Sequence, residues 1–135
     1  MPEKAKIFAD GGSRGNPGPA GCGAVILVDD EQVATVSEYL GVATNNVAEY
    51  KGLVFGLEKA LSLGYSEVEV FMDSELVVKQ MKGLYKVKNA GLIPLFMKAQ
   101  KLRSDFSKFD INHVRREHNK IADSLANKAM DGAMA

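Results

Sequence analysis

The chain has 135 residues and a mass of 14.6 kDa, 46% hydrophobic and 25% charged, which is the size of one ordinary domain with a soluble globular composition. A chain of this length buries about two-thirds of its unfolded surface and folds without staples. Its one cysteine, Cys22, excludes an internal disulfide framework and a Cys-rich zinc site. No apolar run reaches the roughly 18 residues of a membrane span. The opening MPEKAKIF lacks the basic head and long apolar core of a secretory signal. A single domain over residues 1–135, cytoplasmic and with no membrane partner, is therefore expected, with a monomer as the default.

Net charge is zero, with 17 basic and 17 acidic residues, but the halves differ. Residues 1–70 carry ten acids against five bases, and residues 71–135 carry twelve bases against seven acids. Four lysines and no acid lie between Lys79 and Lys88. Such a run reads either as a solvated helix face or as a phosphate-facing edge.

Residues 4–9 (KAKIFA) read as a short strand ending at Asp10. Residues 11–21 (GGSRGNPGPAG) have the glycine and proline content of a loop. Residues 22–28 (CGAVILV) are too apolar for a strand wetted on one face, which predicts a central strand. Asp29-Asp30 marks a turn, and 33–40 returns as the second strand of a hairpin, so the start is an antiparallel meander. Asn46 with Glu49 three residues later has the form of a capping box, followed by an apolar stripe from Tyr50 to Leu61 and a stop at Gly64. Residues 67–72 (EVEVFM) alternate as a strand, and a strand after a helix implies a crossover. A helix over 74–82 begins at Asp73 or Ser74. Residues 86–89 are irregular, and Pro94 allows a helix of roughly 92–105. Residues 109–114 form a last strand. Asn119 caps a final helix that places Ile121, Ala122, Leu125, Ala126 and Ala129 on one face. The order βββαβααβα is one mixed sheet with helices on its faces, an α/β fold.

On that frame Asp10 and Asp73 stand at the ends of the first and fourth strands. If those strands are parallel neighbours, both carboxylates emerge at one sheet edge. Glu49 and Asp123 lie in the first turns of the first and last helices. Taken singly, each acid has an ordinary explanation: a turn at Asp10, a capping box at Glu49, an N-cap at Asp73, a helix-dipole partner at Asp123. None of these accounts for the Gly- and Asn-rich neighbours, or for the absence of any adjoining basic residue. Four close carboxylates repel unless cations neutralise them, and two divalent ions would cancel four charges. Oxygen-only ligation suits Mg²⁺ or Mn²⁺, and two such ions are an arrangement known for in-line attack on a phosphodiester.

Asp10-Gly11-Gly12-Ser13-Arg14-Gly15-Asn16-Pro17-Gly18-Pro19, Thr44-Asn45-Asn46-Val47-Ala48-Glu49, Asp73-Ser74 after a strand, and Ala122-Asp123-Ser124-Leu125-Ala126 together resemble type 1 ribonuclease H (ribonuclease HI). The resemblance spans nearly the whole chain in the right order. It implies a ribonuclease H-like fold, a five-stranded mixed sheet flanked by helices. It also implies endonucleolytic hydrolysis of the RNA strand of an RNA–DNA hybrid, leaving 5′-phosphate and 3′-hydroxyl ends. The family's four acidic metal ligands match Asp10, Glu49, Asp73 and Asp123. The resemblance implies two Mg²⁺ or Mn²⁺ ions, one activating water and one stabilising the leaving 3′ oxygen. Asp10 would bridge both, Glu49 and Asp73 would serve the leaving-group side, and Asp123 the nucleophile side.

Reading the RNA 2′-hydroxyl in a shallow minor groove falls to Asn45, Asn46 and Glu75, with backbone groups of Gly11, Gly12 and the loop to Asn16. Glycines there let the backbone approach the sugar. Thr44 matches a threonine of the family's DNA-phosphate pocket, and Asn16 is placed for the same groove. Arg14 either reaches a phosphate or stays solvated. His118 matches, in order, a catalytic histidine on a mobile loop, although only HNKIAD remains between it and Asp123 where many relatives have more. His113, in the last strand, reads as structural. The chain has no tryptophan, and GLYKVKNAGL follows Met81-Lys82 where many relatives carry a basic protrusion. This is the short form, with weaker hybrid binding expected and Lys79, Lys82, Lys86 and Lys88 in partial replacement.

Two alternatives stand beside a free-standing nuclease: a ribonuclease H-like domain of a retroelement, and a non-catalytic hybrid-binding module. The start at Met1 with a complete set of acids favours the nuclease, and a binding module would be expected to lack one of them. A phosphate-binding NTPase carries little weight, because the glycine-rich loop lacks G-K-[ST] and leads into a strand.

Overall fold

The structure, a computed structural model, describes residues 4–134. The elements follow in the order β1 (Lys4–Ser13), β2 (Gly18–Val28), β3 (Glu31–Ala43), α1 (Asn45–Ser62), β4 (Glu67–Met72), α2 (Glu75–Met81), α3 (Ile93–Ser104), β5 (Lys108–His113), a 3-10 turn (Arg116–His118) and α4 (Lys120–Met134). The order matches βββαβααβα. The sheet runs β3-β2-β1-β4-β5, with β1–β2 and β2–β3 antiparallel and β1–β4 and β4–β5 parallel. β2 lies inside the sheet, as its apolar run predicts. Asp29 and Asp30 close the β2–β3 hairpin with φ of 51° and 65°, the left-handed pair of a two-residue hairpin turn.

The glycine-rich stretch differs from its reading as a loop. β1 and β2 pair straight through it, Gly11 with Cys22 and Gly12 with Gly21, and only residues 14–17 turn. The glycines are required by the helices on the two faces. A Cβ on Gly11 would lie 2.2 Å from the Ala48 carbonyl oxygen of α1, and one on Gly23 would lie 2.6 Å from the Ala122 carbonyl oxygen of α4. Backbone therefore packs on backbone, which draws both helices close to the strands.

The core lies mainly between the sheet and α1, with Ile7, Ile26, Leu53, Leu57 and Val70 wholly buried. The buried Tyr50 hydroxyl donates to Gln80 Oε1 at 2.6 Å and ties α1 to α2. Two expected caps are corrected. α1 starts at Thr44, not Asn46, because Thr44 is extended and its Oγ1 accepts from the Val47 N–H. Glu49 then lies one turn inside the helix, and its carboxylate is not used in a capping box. α4 follows Asn119, whose backbone carbonyl accepts from the Asp123 N–H, but its side chain turns inward instead of capping. Ile121 is 45% exposed; Ala122, Ala126 and Met130 form the buried stripe, the phase that rests α4 on Gly21 and Gly23. Of the two expected starts, Asp73 and Ser74, it is Ser74 that caps α2. No helix among the described residues is long and apolar enough to cross a membrane.

Candidate active site

The four acids converge through the sheet's register. Ala9 pairs with Met72 in the parallel β1–β4 ladder, so Asp10 and Asp73 follow side by side where β4 ends, while β1 runs on to Ser13 and not, as expected, only to Asp10. Asp10 also pairs with Gly23 in β2, which puts its side chain on the face covered by α4 and beside Asp123. α1 comes over the opposite face and delivers Glu49 to the same edge, because Gly52 packs on the Asp10 carbonyl and Gly11 packs on Ala48. The four carboxylates line one cleft of about 840 Å³, together with Gly11, Gly12, Asn45 and Asn46.

Its electrostatics are unfavourable to the charges of Asp10 and Glu49. Asp10 is 7% exposed. Burial first, then the charge of Asp73, pushes its carboxyl up to about 8; a backbone bond from Gly11 opposes this, and contact with Asp123 adds to it. Burial pushes Glu49 up to about 7, against a hydrogen bond with Ser74 and with the help of Asp73. Nearby cations compensate little. Arg116 stands 3.8 Å from Asp123, largely exposed, and Arg14 pairs with Asp131 instead. Asn127 Nδ2 reaches Asp123 Oδ2 at 3.4 Å.

This donor set fits a hard divalent cation: oxygen ligands, partly buried, mutually repelling and open to a water-filled cleft. No three acidic, histidine or cysteine side chains among the described residues stand together closely enough to hold a metal ion as they are placed, so ligation would take fewer side chains at once or their movement. An open set suits Mg²⁺, which binds through few carboxylates and keeps several waters.

The neighbouring residues fall into two groups. Asn45 Oδ1 accepts from the Ser13 N–H at 2.8 Å and the Ser13 hydroxyl at 3.1 Å, while Asn16 Oδ1 accepts from the Asn45 N–H at 3.1 Å. Asn16 and Asn45 thus latch the β1–β2 turn to the start of α1. Thr44 is exposed at this end, and a hydroxyl that accepts in a cap keeps its own proton to give. Gly12 has open space, since an added Cβ would meet only Asn45 Oδ1 at 3.8 Å.

Glu75 and His118 are not brought to the cleft. Glu75 pairs with Lys79 one turn along α2. His118 lines a separate hollow with Phe8, Val25, Leu27 and Ile121, because the 3-10 turn carries it past the strand ends. In this structure it therefore stands apart from the four carboxylates. His113, expected to be structural, is placed otherwise. It is exposed, lines the carboxylate cleft and pairs with Met72 at the end of β5, so the strand-end logic that finds Asp73 also finds it. Arg115, Arg116 and Asn127 join it on the cleft wall. Between α2 and α3 the chain forms no additional helix, and Lys82, Lys86 and Lys88 are exposed along it.

Residues 8–129 match the family described as reverse transcriptase-like. Over 132 residues, 96% of this chain, the sequence is 52% identical to the bifunctional protein Rv2228c of Mycobacterium tuberculosis. The chain spans 36% of that relative's length. The N-terminal RNase H domain of that protein, solved as a fusion, superposes with a TM-score of 0.92, covering 94% of this chain and 98% of the other. RNase H1 of the halophilic archaeon Halobacterium salinarum superposes at 0.93 with 40% identity, covering 96% and 98%. LC11-RNase H1, solved in complex with an RNA/DNA hybrid, superposes at 0.92 with 43% identity, covering 97% and 99%.

Proposed function

The chain belongs to the ribonuclease H family, and from that premise we propose that it is an endonuclease for the RNA strand of RNA–DNA hybrids, leaving 5′-phosphate and 3′-hydroxyl ends. The observation that carries this reading is the β1–β4 register, which sets Asp10 beside Asp73 under Glu49 and Asp123 in one open cleft. The hybrid bound by LC11-RNase H1 supports the substrate.

Asp10, Glu49, Asp73 and Asp123 would hold Mg²⁺ or Mn²⁺, two ions in the catalytic complex, supplying charge neutralisation at the scissile phosphate and a more acidic water. Asp10, influenced by both Asp73 and Asp123, would help to hold both ions. Glu49 and Asp73 would serve the leaving-group side and Asp123 the nucleophile side. Asn45, Asn46 and the backbone at Gly12 face the RNA sugar, where a 2′-hydroxyl is both donor and acceptor. Thr44 and Asn16, at the outer end of the same latch, face the DNA strand. Glu75 is assigned to the RNA strand as well, which requires its release from Lys79.

The test is an end-labelled RNA annealed to DNA, annealed to RNA, or left single, incubated with Mg²⁺, Mn²⁺ or EDTA. Metal-dependent cutting of the hybrid alone is expected. Absence of cutting by the folded protein with either metal would favour the hybrid-binding module. His118, outside the cleft, is given no proton transfer. Its replacement by Ala should lower kcat less than about tenfold. A loss of about 10²-fold or more, the usual range for a missing general acid, would return it to the reaction.

A further inference from the structure

Asn119 is 1% exposed and sits immediately before α4. An asparagine at that position ordinarily turns its Oδ1 to the first N–H groups of the helix. Here its Oδ1 has no hydrogen-bond partner. The amide nitrogen explains the choice. Nδ2 donates to the Ala9 carbonyl at 3.0 Å and to Asp73 Oδ1 at 3.2 Å. Both neighbours are acceptors, so the amide must present its NH₂ to them and leave the oxygen buried and unpaired. That arrangement gives up a helix cap and desolvates an acceptor, and both costs act against stability. What it gains lies at the carboxylates.

Three of the four acids are tied to this one residue. Ala9 precedes Asp10, Asp73 is held directly, and the Asn119 carbonyl accepts from the Asp123 N–H at 3.1 Å. We propose that Asn119 is a positioning residue that fixes the spacing of Asp10, Asp73 and Asp123 for cation binding and engages one oxygen of Asp73 so that the other is left for the ion. The proposal rests on the carboxylate cleft being the metal centre proposed above. Partners of a metal's ligands act by this kind of orientation.

The test uses Mn²⁺ alone, titrated calorimetrically at pH 7.5 into the purified chain and into Asn119→Ala. The variant should bind about 10–100-fold more weakly, the usual effect of losing a ligand's partner. The same replacement should retain that penalty in a Glu49→Gln background. It should cost clearly less in an Asp73→Asn background, where one of the groups it orients is already altered. In cleavage assays kcat should fall while KM for the hybrid stays within about twofold. Unchanged Mn²⁺ affinity, or an equal penalty in both backgrounds, would overturn the proposal. If Asn119→Ala does not fold at 10 °C, Asn119→Ser, whose shorter side chain has a single proton and cannot donate to both acceptors, is read in the same way. Failure of both to fold would assign Asn119 a purely structural role and overturn the proposal too. Failure of the unaltered chain to bind Mn²⁺ would instead count against the metal centre itself.

Discussion

Asp10→Asn should abolish cleavage and, in EDTA, make the protein more stable above about pH 7. The first effect is a loss of about 10⁴-fold or more, as expected for a group that acts as part of a catalytic unit. The second follows from the raised carboxyls. Asp10 holds its proton to about 8 in the native state and Glu49 to about 7, whereas unfolded chains lose theirs near the ordinary carboxylate value of roughly 4. Between those limits the native state binds more protons than the unfolded one, so stability falls as pH rises. The contribution is fully present below about pH 4 and is lost progressively up to about pH 8. An amide has no proton to lose at this position and removes one of the repelling charges, so the variant escapes most of that loss. A gain on the order of 3 kcal/mol at pH 8, shrinking toward zero at pH 4, is expected from urea unfolding in EDTA. A variant no more stable than the parent at pH 8 would contradict the electrostatic account. Added Mn²⁺ should reverse the order, since a ligand of the native state stabilises by about 2.7 kcal/mol at a hundredfold excess over its Kd.

Gly11→Ala should be among the most destabilising replacements of a single glycine in the chain. A Cβ there would lie 2.2 Å from the Ala48 carbonyl oxygen, 2.3 Å from the Ala48 carbonyl carbon and 2.6 Å from the Glu49 nitrogen. All three are backbone atoms, so no side chain can swing aside. α1 must lift from β1, at about 3 kcal/mol or more, the upper range for overpacking. Glu49 moves with it, so cleavage should fall even at temperatures where the variant is folded. Gly12→Ala is the control. Its nearest contact is Asn45 Oδ1 at 3.8 Å, and its stability should stay within about 0.5 kcal/mol of the parent. Urea midpoints for the two variants decide the matter. Equal midpoints would mean that the closeness of α1 to β1 does not depend on the missing side chain.

The four acids are legible in the amino-acid sequence, because alternation and helical spacing locate strand ends and first turns. Asp73 follows the end of β4 and Asp123 lies in the first turn of α4, whereas Asp10 lies inside β1, which runs on to Ser13, and Glu49 lies one turn inside α1; the parallel β1–β4 pairing that joins Asp10 and Asp73 is seen only in the sheet. The continuation of β1 and β2 through the glycines is not legible there. Glycine-rich sequence signals a loop, while here the demand for glycine comes from helices that arrive later in the chain and pack on both faces. Thr44, Asn45 and Asn46 are all competent caps, and which one serves depends on where β3 releases the chain. Asn119 has the signature of a cap, yet the Ala9 carbonyl and Asp73, distant in sequence, claim its amide. That His113 lines the cleft and His118 a neighbouring hollow is not legible there, because the 3-10 turn after β5 carries His118 onward while the β4–β5 register carries His113 in.

The central claim is that the repelling carboxylates of the cleft, with those of Asp10 and Glu49 raised, are a divalent-cation site. Calorimetric titration of Mn²⁺ at pH 6.5, repeated in two buffers of different ionisation heat, tests it most directly. At that pH Asp10 and Glu49 hold protons that a bound cation must displace. The account predicts saturable binding whose heat differs between the buffers, with about one to two protons released per chain, and a clear reduction of both binding and release in Asp10→Asn. Absence of binding, or a binding heat independent of the buffer and unchanged in Asp10→Asn, would contradict it.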